Sequence, residues 1–350
     1  MAKFKAFLKR KDVEVSLKRY GIDALGAMAQ GLFCTLLVGT ILDTLGTQLG
    51  IGFLASPIVE INDVGYTIGK FASAMVLFSL IPVGYATNVM GGAGGPLAVY
   101  VVAVVAAECG KIVSKETKID ILVTPIVTVL IGIGLAYFIA SPIGKGAMAV
   151  GDVIKWATTQ QPFVMGVLVS VIVGIALTLP ISSAAICAAL SLTGLAGGAA
   201  LAGCCANMVG FAVISFRENG WGGVVSQGLG TSMLQMGNIV RNPRIWIPAI
   251  AASAITGPVA TCVFKLEMNG AAVSSGMGTC GLVGPIGVWT GWANPSAEAL
   301  LDGAQAIIPS AADWLGLALI SIVLPAILAW LFGRLCRKLG WIKDGDLKLN

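Results

Sequence analysis

Histidine is absent from the 350-residue chain, and charged side chains make up only 11% of it. Without histidine the chain lacks the commonest metal ligand and the usual proton relay, and a Ser/His/Asp triad is excluded. Neither a Walker motif nor a Rossmann glycine pattern is present. The eight cysteines show no C-x-x-C spacing. We therefore expect no metal, no cofactor and no catalytic residue in the chain, which argues against a self-contained enzyme.

Apolar residues are abundant: 57% of the chain is hydrophobic and its mean hydropathy is +0.90. Soluble domains carry about 25% charged residues, so this composition predicts an all-α polytopic membrane protein with about 8–10 transmembrane helices. The net charge of +5 does not indicate nucleic-acid binding, because Lys and Arg cluster before the first and after the last apolar run. The positive-inside rule then predicts a multi-pass protein of the cell membrane with both termini in the cytoplasm.

Long apolar runs predict the membrane spans, since a crossing helix needs about 20 apolar residues. The predicted spans are Ala24–Thr44, Thr67–Tyr85, Ile121–Ala140, Pro162–Leu179, Ile181–Leu195, Gly197–Phe216, Trp246–Phe264 and Trp314–Leu331. Two mildly amphipathic stretches, Ala147–Gln161 and Pro295–Ala312, each precede a span and are predicted to lie at the membrane interface.

Two further embedded segments are weaker. Leu97–Cys109 is short, and Gly222–Val240 carries several polar residues. In the second segment the polar positions i, i+4, i+8 and i+11 share one helical face; they are Gln227, Thr231, Gln235 and Asn238. Such a face fits an interfacial amphipathic helix, a helix lining a solute path, or hydrogen bonding between helices.

Glycine-rich breaks are the most informative feature. The run Thr87–Pro96 holds four glycines and a proline, through which a helix does not easily continue. Non-helical backbone inside a membrane persists only where protein buries it or where it lines a wet cavity. A second break of the same character runs from Ser274 to Gly287. Both predict a solute site, although each also fits a simple turn or loop.

Polar groups at these breaks complete the candidate site. Thr178 to Ser183 joins two spans through Pro180, where hydroxyls either recognise substrate or bond to freed carbonyls. Asn207 lies within a span and needs a partner. The candidate substrate-binding residues are Asn88, Gly91, Gly92, Gly94, Gly95, Ser182, Ser183, Asn207, Gln227, Thr231, Gln235, Asn238 and Thr279. Asp43 and Glu108 are the candidates for ion or proton coupling. A charged side chain inside a membrane is costly, so its presence there indicates a function.

The two halves show a similar order of a Gly-rich break, a weakened segment, a basic turn and a clear span, which predicts an internal duplication. In this reading Gly91–Gly95 corresponds to Gly220–Gly223. The predicted division is a basic segment at 1–20, repeats at 21–180 and 181–333, and a cytoplasmic tail at 334–350. Re-entrant weakened segments give about eight crossings and parallel repeats, whereas crossing segments give about ten and inverted repeats.

Three stretches carry a family resemblance: the run Gly84–Pro96, the run Lys115–Pro125 and the loop Gly276–Gly291. They resemble the type-2 phosphotransferase-system IIC-like membrane proteins, a group that includes perfringolysin O regulators. The resemblance covers residues 12 to 340. It implies a sugar-translocating IIC subunit that works with separate IIA and IIB proteins, and it implies a homodimer.

The residues and the resemblance together predict a transporter of a small polar solute, with a carbohydrate as the leading candidate. Without histidine or a soluble IIB-like domain, any phosphotransferase activity is expected to need those separate partners. The alternatives are a membrane sensor that binds a solute without transporting it, and an ion- or proton-coupled secondary transporter. A channel is disfavoured, because no filter motif is visible.

Overall fold

The computed structural model describes residues 90–116 and 120–349, together with short pieces at 7–8, 10–13, 16, 19–24, 28, 46, 51, 59–61 and 64–66. The predicted span Ala24–Thr44 lies almost wholly outside these residues, and the predicted span Thr67–Tyr85 lies entirely outside them. Asn88 and Asp43 also lie outside the described residues.

The first half of the chain forms three long helices after a short strand pair. A π-helical turn at Arg19–Ala24 is followed by strands β1 (Val59–Ile61) and β2 (Val64–Tyr66), which pair antiparallel. A 3-10 turn at Gly92–Gly94 leads into α1 (Gly95–Val113), α2 (Asp120–Thr158) and α3 (Pro162–Thr178).

The second half alternates long helices with short, broken ones. The helices are α4 (Ser183–Ala189), α5 (Gly194–Ile214), α6 (Phe216–Val225), α7 (Met236–Arg241), α8 (Ile247–Pro258), α9 (Ala272–Ser275), α10 (Val283–Ala293), α11 (Ala297–Leu301), α12 (Ala311–Ala318) and α13 (Leu324–Lys338). π-helical segments at Ser226–Gly230, Val259–Phe264 and Leu319–Val323, and 3-10 turns at Ser232–Gln235, Pro243–Trp246 and Cys280–Leu282, connect or extend them.

Within the described residues, five helices are long and apolar enough to cross a membrane, by length and composition. They are Gly95–Val113, Ile126–Thr158, Gly194–Ile214, Pro243–Phe264 and Ala311–Lys338, and the shorter apolar helix Pro162–Thr178 accompanies them. The prediction of an all-α polytopic membrane protein is confirmed. The weakened segment Leu97–Cys109 lies inside a helix of full spanning length.

Four predicted segments differ from the structure. Ile121–Ala140 and Ala147–Gln161 were expected to be separate, but the single 39-residue helix α2, about 58 Å long, contains the first and all of the second up to Thr158. Ile181–Leu195 is not a span: α4 ends at Ala189, and Ser191 has a positive φ of 48°. Pro295–Ala312 is helical only over α11 and again from Ala311.

Helix α5 is the centre of the fold, because nearly all of its side chains are buried. It packs against α3, α8 and α13. Glycine makes the contact with α3 close: a Cβ added at Gly203 would stand 1.8 Å from the carbonyl oxygen of Ser170. A Cβ at Gly257 of α8 would stand 2.0 Å from the oxygen of Gly166 in α3. Small residues thus bring three helices into backbone contact, as is common in membrane proteins.

Candidate functional site

Three pairs of helices fold as re-entrant hairpins around α5. Hairpin A comprises residues 162–192 (α3 and α4), hairpin B residues 216–241 (α6 and α7), and hairpin C residues 269–292 (α9 and α10). Their ends are fixed to one end or the other of α5, and their tips meet beside Asn207. At a helical rise of about 1.5 Å per residue, Asn207 lies about 20 Å along α5 from Gly194.

Hairpins A and C begin and end at the N-terminal end of α5. Pro162 accepts a hydrogen bond from Thr261 at 2.8 Å, and Gly194, just after hairpin A, bridges Met268 through paired backbone bonds. Asn269, at the start of hairpin C, accepts from the Ser296 amide at 2.8 Å, just beyond the end of that hairpin. The predicted span Ile181–Leu195 is therefore the return arm of a re-entrant hairpin.

Hairpin B enters from the opposite end. Near its start, Glu218 pairs with Arg337 at 2.8 Å, and just after its end Asn242 donates to the carbonyl of Trp341 at 2.9 Å. The predicted continuous segment Gly222–Val240 is wrong as one helix. The α-helix changes to a π-helical segment at Ser226, and the extended backbone of Thr231 (φ −158°, ψ 141°) ends it.

The hairpin tips touch through hydroxyl groups. The hydroxyls of Thr178 (A) and Ser232 (B) lie 2.8 Å apart and share a hydrogen bond. Ser183 (A) donates to the carbonyl of Gly276 (C) at 2.7 Å. Thr279 (C) donates to the carbonyl of Gly228 (B) at 2.5 Å. Each hairpin is thus bonded to the other two, and all three hydroxyl contacts are buried.

Asn207 links this tip cluster to the core helices. Its Oδ1 accepts from the Trp246 indole N–H at 2.9 Å and from Thr178 at 3.4 Å. Its Nδ2 donates to the carbonyl of Gly203 at 3.1 Å and to the Ser253 hydroxyl at 3.2 Å. A buried amide is costly unless its groups are paired, and this one is paired on both sides.

The other candidates on hairpin B form a separate row of amides. Gln227 donates to Ser215 at 2.8 Å and accepts from Gln235 at 2.8 Å; Asn238 donates to Gln235 at 2.7 Å. The helical face predicted from the sequence is therefore assembled although the helix is broken. This amide row bonds outward to the chain's C-terminal tail, not to the tip cluster. Thr231 caps the following 3-10 turn by accepting from the Met233 amide.

Ser182 has a local role: it caps α4 by accepting from the Ala185 amide at 3.1 Å. The glycines of the first break pack against α2. A Cβ at Gly94 would stand 2.7 Å from the carbonyl of Ile143, and a Cβ at Gly144 would stand 2.6 Å from that of Gly91. Gly92, with φ +50°, is exposed, and Gly95 begins α1. The turn Gly92–Gly94 also contacts α4, the return arm of hairpin A.

The first break also resembles a second glycine-rich stretch in sequence and in local geometry. Met90 to Pro96 reads Met-Gly-Gly-Ala-Gly-Gly-Pro, and Met277 to Pro285 reads Met-Gly-Thr-Cys-Gly-Leu-Val-Gly-Pro. Each forms a 3-10 turn with a positive-φ glycine and runs directly into a helix with a Gly-Pro pair near its start. Gly220–Gly223 lies within α6, which is kinked at Gly220 (φ 57°, ψ −155°). Helix α4 contacts the Gly92–Gly94 turn and also α9, which directly precedes Met277.

Glu108 lies away from the tip cluster. It accepts from Lys111 at 3.0 Å, and its other carboxylate oxygen is buried with no hydrogen-bond partner in the part of the chain that the structure describes. Sequence reasoning left Trp246, Ser253 and Ser170 out of the candidate site, although Ser170 donates to the carbonyl of Ser253 at 2.8 Å. The sequence gives little indication of these three residues, because single Ser and Trp residues are common in apolar helices.

Re-entrant hairpins that meet within a bundle of apolar spanning helices define a membrane transport protein. The sequence matches the family described as "Phosphotransferase system, EIIC" over residues 22–349. The chain belongs to this family and is a membrane-embedded transport component of a phosphotransferase system. Membership implies a carbohydrate substrate and IIA and IIB partners. No curated protein and no solved structure matches the chain.

Proposed function

We propose that the chain is the sugar permease subunit of its phosphotransferase system and that the sugar binds at the tip cluster beside Asn207. The observation that supports this site is the meeting of three hairpin tips through neutral hydroxyl, amide and carbonyl groups. These are the groups that exchange hydrogen bonds with sugar hydroxyls. None of the hydrogen-bonded members of the cluster carries a formal charge, which suits a neutral solute.

Trp246 adds an apolar surface to the site. Its indole N–H bonds to Asn207, while its ring packs against the core of α5, α8 and α13. An aromatic ring beside an amide offers an apolar face and a polar edge together, and both suit a sugar ring. Of the residues predicted from the sequence, Ser183, Asn207 and Thr279 belong to this proposed site. The glycines of the first break, at 91, 92, 94 and 95, lie at the turn before α1, and this turn contacts both α2 and α4 of hairpin A.

Transport at this site requires the tips to part. In this conformation the polar groups of the tips bond to one another. A sugar therefore enters only when the contacts Thr178–Ser232 and Thr279–Gly228 break and are replaced by contacts with the sugar. Few bonds hold hairpin B to hairpins A and C, and each is worth about 1 kcal/mol net. Movement of one hairpin therefore opens the site at a modest energetic cost. The absence of histidine leaves phosphoryl transfer to the partner proteins.

The test is binding and uptake by purified protein in proteoliposomes, with a panel of radiolabelled hexoses, pentoses and hexitols. For a sugar that binds, Ser232→Ala and Thr279→Val should each weaken binding about 2- to 10-fold, the effect of one neutral hydrogen bond. Ser321→Ala is the matched control, because Ser321 is a buried hydroxyl outside the cluster and has no hydrogen-bond partner among the described residues.

Equal losses in all three variants would contradict the site. Failure of every sugar in the panel to bind would contradict a sugar permease. Uptake that depends on added phosphoenolpyruvate and the IIA and IIB partners supports the phosphotransferase role. Binding without net uptake under those conditions would instead identify a sensor.

A further inference from the structure

A groove of about 720 Å³ opens at the C-terminal end of α13, away from the tip cluster. One wall is formed by the end of α5 and by α6, and the other by the last turns of α13. Its apolar lining includes Phe216, Trp221 and Trp330, and Phe216 and Trp221 stack edge to face at 5.4 Å. Trp221 is 75% exposed, which is unusual for so large an apolar ring in an aqueous setting.

Four cations line the same groove: Arg217, Arg334, Arg337 and Lys338. Arg337 is already paired with Glu218 at 2.8 Å and with Asp344 at 3.1 Å. The other three have no carboxylate partner within ion-pair distance among the described residues. The Arg334 guanidinium stacks over the Trp330 ring at 4.8 Å, so its positive charge lies against the apolar wall of the groove.

The position of the groove relative to the membrane follows from α13, which forms one of its walls. The helical segment Ala311–Lys338 is long and apolar enough to cross the membrane, and its basic residues come in its last turns. Cations and tryptophans at the end of a spanning helix lie at the level of the lipid headgroups. The groove therefore presents unpaired positive charge at headgroup level and apolar rings directly beside it.

We propose that this groove binds an anionic phospholipid of the surrounding membrane. Arg217, Arg334 and Lys338 hold the phosphate of its headgroup, and an acyl chain lies against Trp330 and Trp221. Charge complementarity selects an anionic headgroup, and the apolar walls select a lipid over free phosphate or a sugar phosphate. Basic pockets between spanning helices are known to hold such headgroups. This proposal is independent of which sugar the protein transports.

The test is lipid binding to the purified full chain by native mass spectrometry and by thermal stabilisation in detergent. The probes are phosphatidylglycerol, phosphatidylcholine of the same acyl chains, and inorganic phosphate. We expect phosphatidylglycerol to bind and to raise Tm, and the other two to do neither at the same concentration. The triple variant Arg217→Gln/Arg334→Gln/Lys338→Gln should bind phosphatidylglycerol about ten-fold or more weakly.

The matched control is Lys145→Gln/Lys155→Gln/Lys265→Gln, which removes the same charge from exposed positions outside the groove. It should retain binding within about two-fold. Arg217→Gln alone changes one exposed side chain and should lower affinity while leaving the Tm of lipid-free protein unchanged, which separates binding from folding. Equal binding of phosphatidylcholine, stabilisation by phosphate alone, or equal losses in the two triple variants would overturn the proposal.

Discussion

Gln235 donates its side-chain N–H to the backbone carbonyl of Leu347 at 2.9 Å, across 112 residues of sequence. Leu347 is fully buried, and its carbonyl also accepts from Asn219 at 2.8 Å. Asn238 donates to the carbonyl of Lys348 at 2.9 Å. The C-terminal tail is therefore built into the amide row of hairpin B, and the polar face of that hairpin is satisfied by main-chain groups.

The tail contact predicts the effect of Gln235→Ala. The substitution removes the hydrogen bond to the Gln227 side-chain oxygen, and a buried group left unpaired costs about 1–3 kcal/mol. The Leu347 carbonyl keeps its bond from Asn219, and Asn238 keeps its bond to Lys348. We expect a clear fall in Tm of the purified protein in detergent and faster proteolysis after Lys343. Gln305→Ala is the control, since Gln305 is exposed in the loop after α11. Equal Tm values for the two variants would show that the tail contact contributes nothing.

Glycine packing predicts a sharp contrast between two Gly→Ala variants. Gly203→Ala places a Cβ 1.8 Å from the Ser170 carbonyl, so α3 and α5 must separate; the cost is about 3 kcal/mol or more. At Gly134 of α2 nothing lies within 4 Å of the added Cβ, and the higher helix propensity of Ala gains up to about 1 kcal/mol. Folded yield by size-exclusion chromatography and Tm measure both. Loss of fold in Gly134→Ala, or a normal Tm in Gly203→Ala, would contradict this packing.

Trp246→Phe tests the link between Asn207 and α8. Phenylalanine keeps an aromatic ring, although a smaller one, and lacks the N–H that bonds to Asn207 at 2.9 Å. We expect a destabilisation of about 1–2 kcal/mol, because Asn207 Oδ1 keeps only its longer contact with Thr178. Trp289→Phe, on α10 beyond the tip cluster, serves as the comparison. An unchanged Tm with unchanged sugar binding would remove Trp246 from the proposed site.

The N-terminal residues predict a pH effect. Hydrogen bonding from Lys11 at 2.6 Å, followed by the charges of Lys11 and Arg10, holds the pKa of Glu116 below its ordinary value. Because the folded pKa is the lower one, the stabilisation is present above the unfolded pKa of about 4.5. It is lost as the pH falls through the folded pKa. The Tm difference between the wild type and Glu116→Gln should therefore be present at neutral pH and vanish in acid.

High salt should shrink the same difference, because the Glu116 carboxylate is solvent-exposed and its ion pairs are screened. The bond from Arg19 at 2.7 Å also lowers the pKa of Asp12, but this contribution is common to the wild type and Glu116→Gln and cancels in their difference. A Tm difference that grows on acidification would contradict the assignment.

The sequence predicted well those spans that are long, uninterrupted apolar runs. Gly197–Phe216 and Trp246–Phe264 match α5 and the α8 region within a few residues. The same criterion failed for Ile181–Leu195, because an apolar run does not reveal whether its chain crosses or turns back. The decisive contact there is Ser183 with the carbonyl of Gly276, which joins residues 93 apart.

The amide row shows both the strength and the limit of periodicity. Helical spacing placed Gln227, Gln235 and Asn238 together, and the structure joins them within 2.8 Å. Their other partners are backbone carbonyls of the tail, and every residue carries a carbonyl. No side-chain pattern therefore marks Leu347 or Lys348 as partners. The likeness of the two glycine-rich turns is hard to see in the sequence, because Met277–Pro285 is two residues longer than Met90–Pro96.

The meeting of hairpins from opposite ends of α5 has a consequence for permeability. Hairpin B enters from one end of α5 and hairpins A and C enter from the other, so the buried contacts of Thr178, Ser232 and Thr279 lie where a route between the two ends has to pass. Breaking these contacts is therefore expected to increase leakage of small solutes through the bundle.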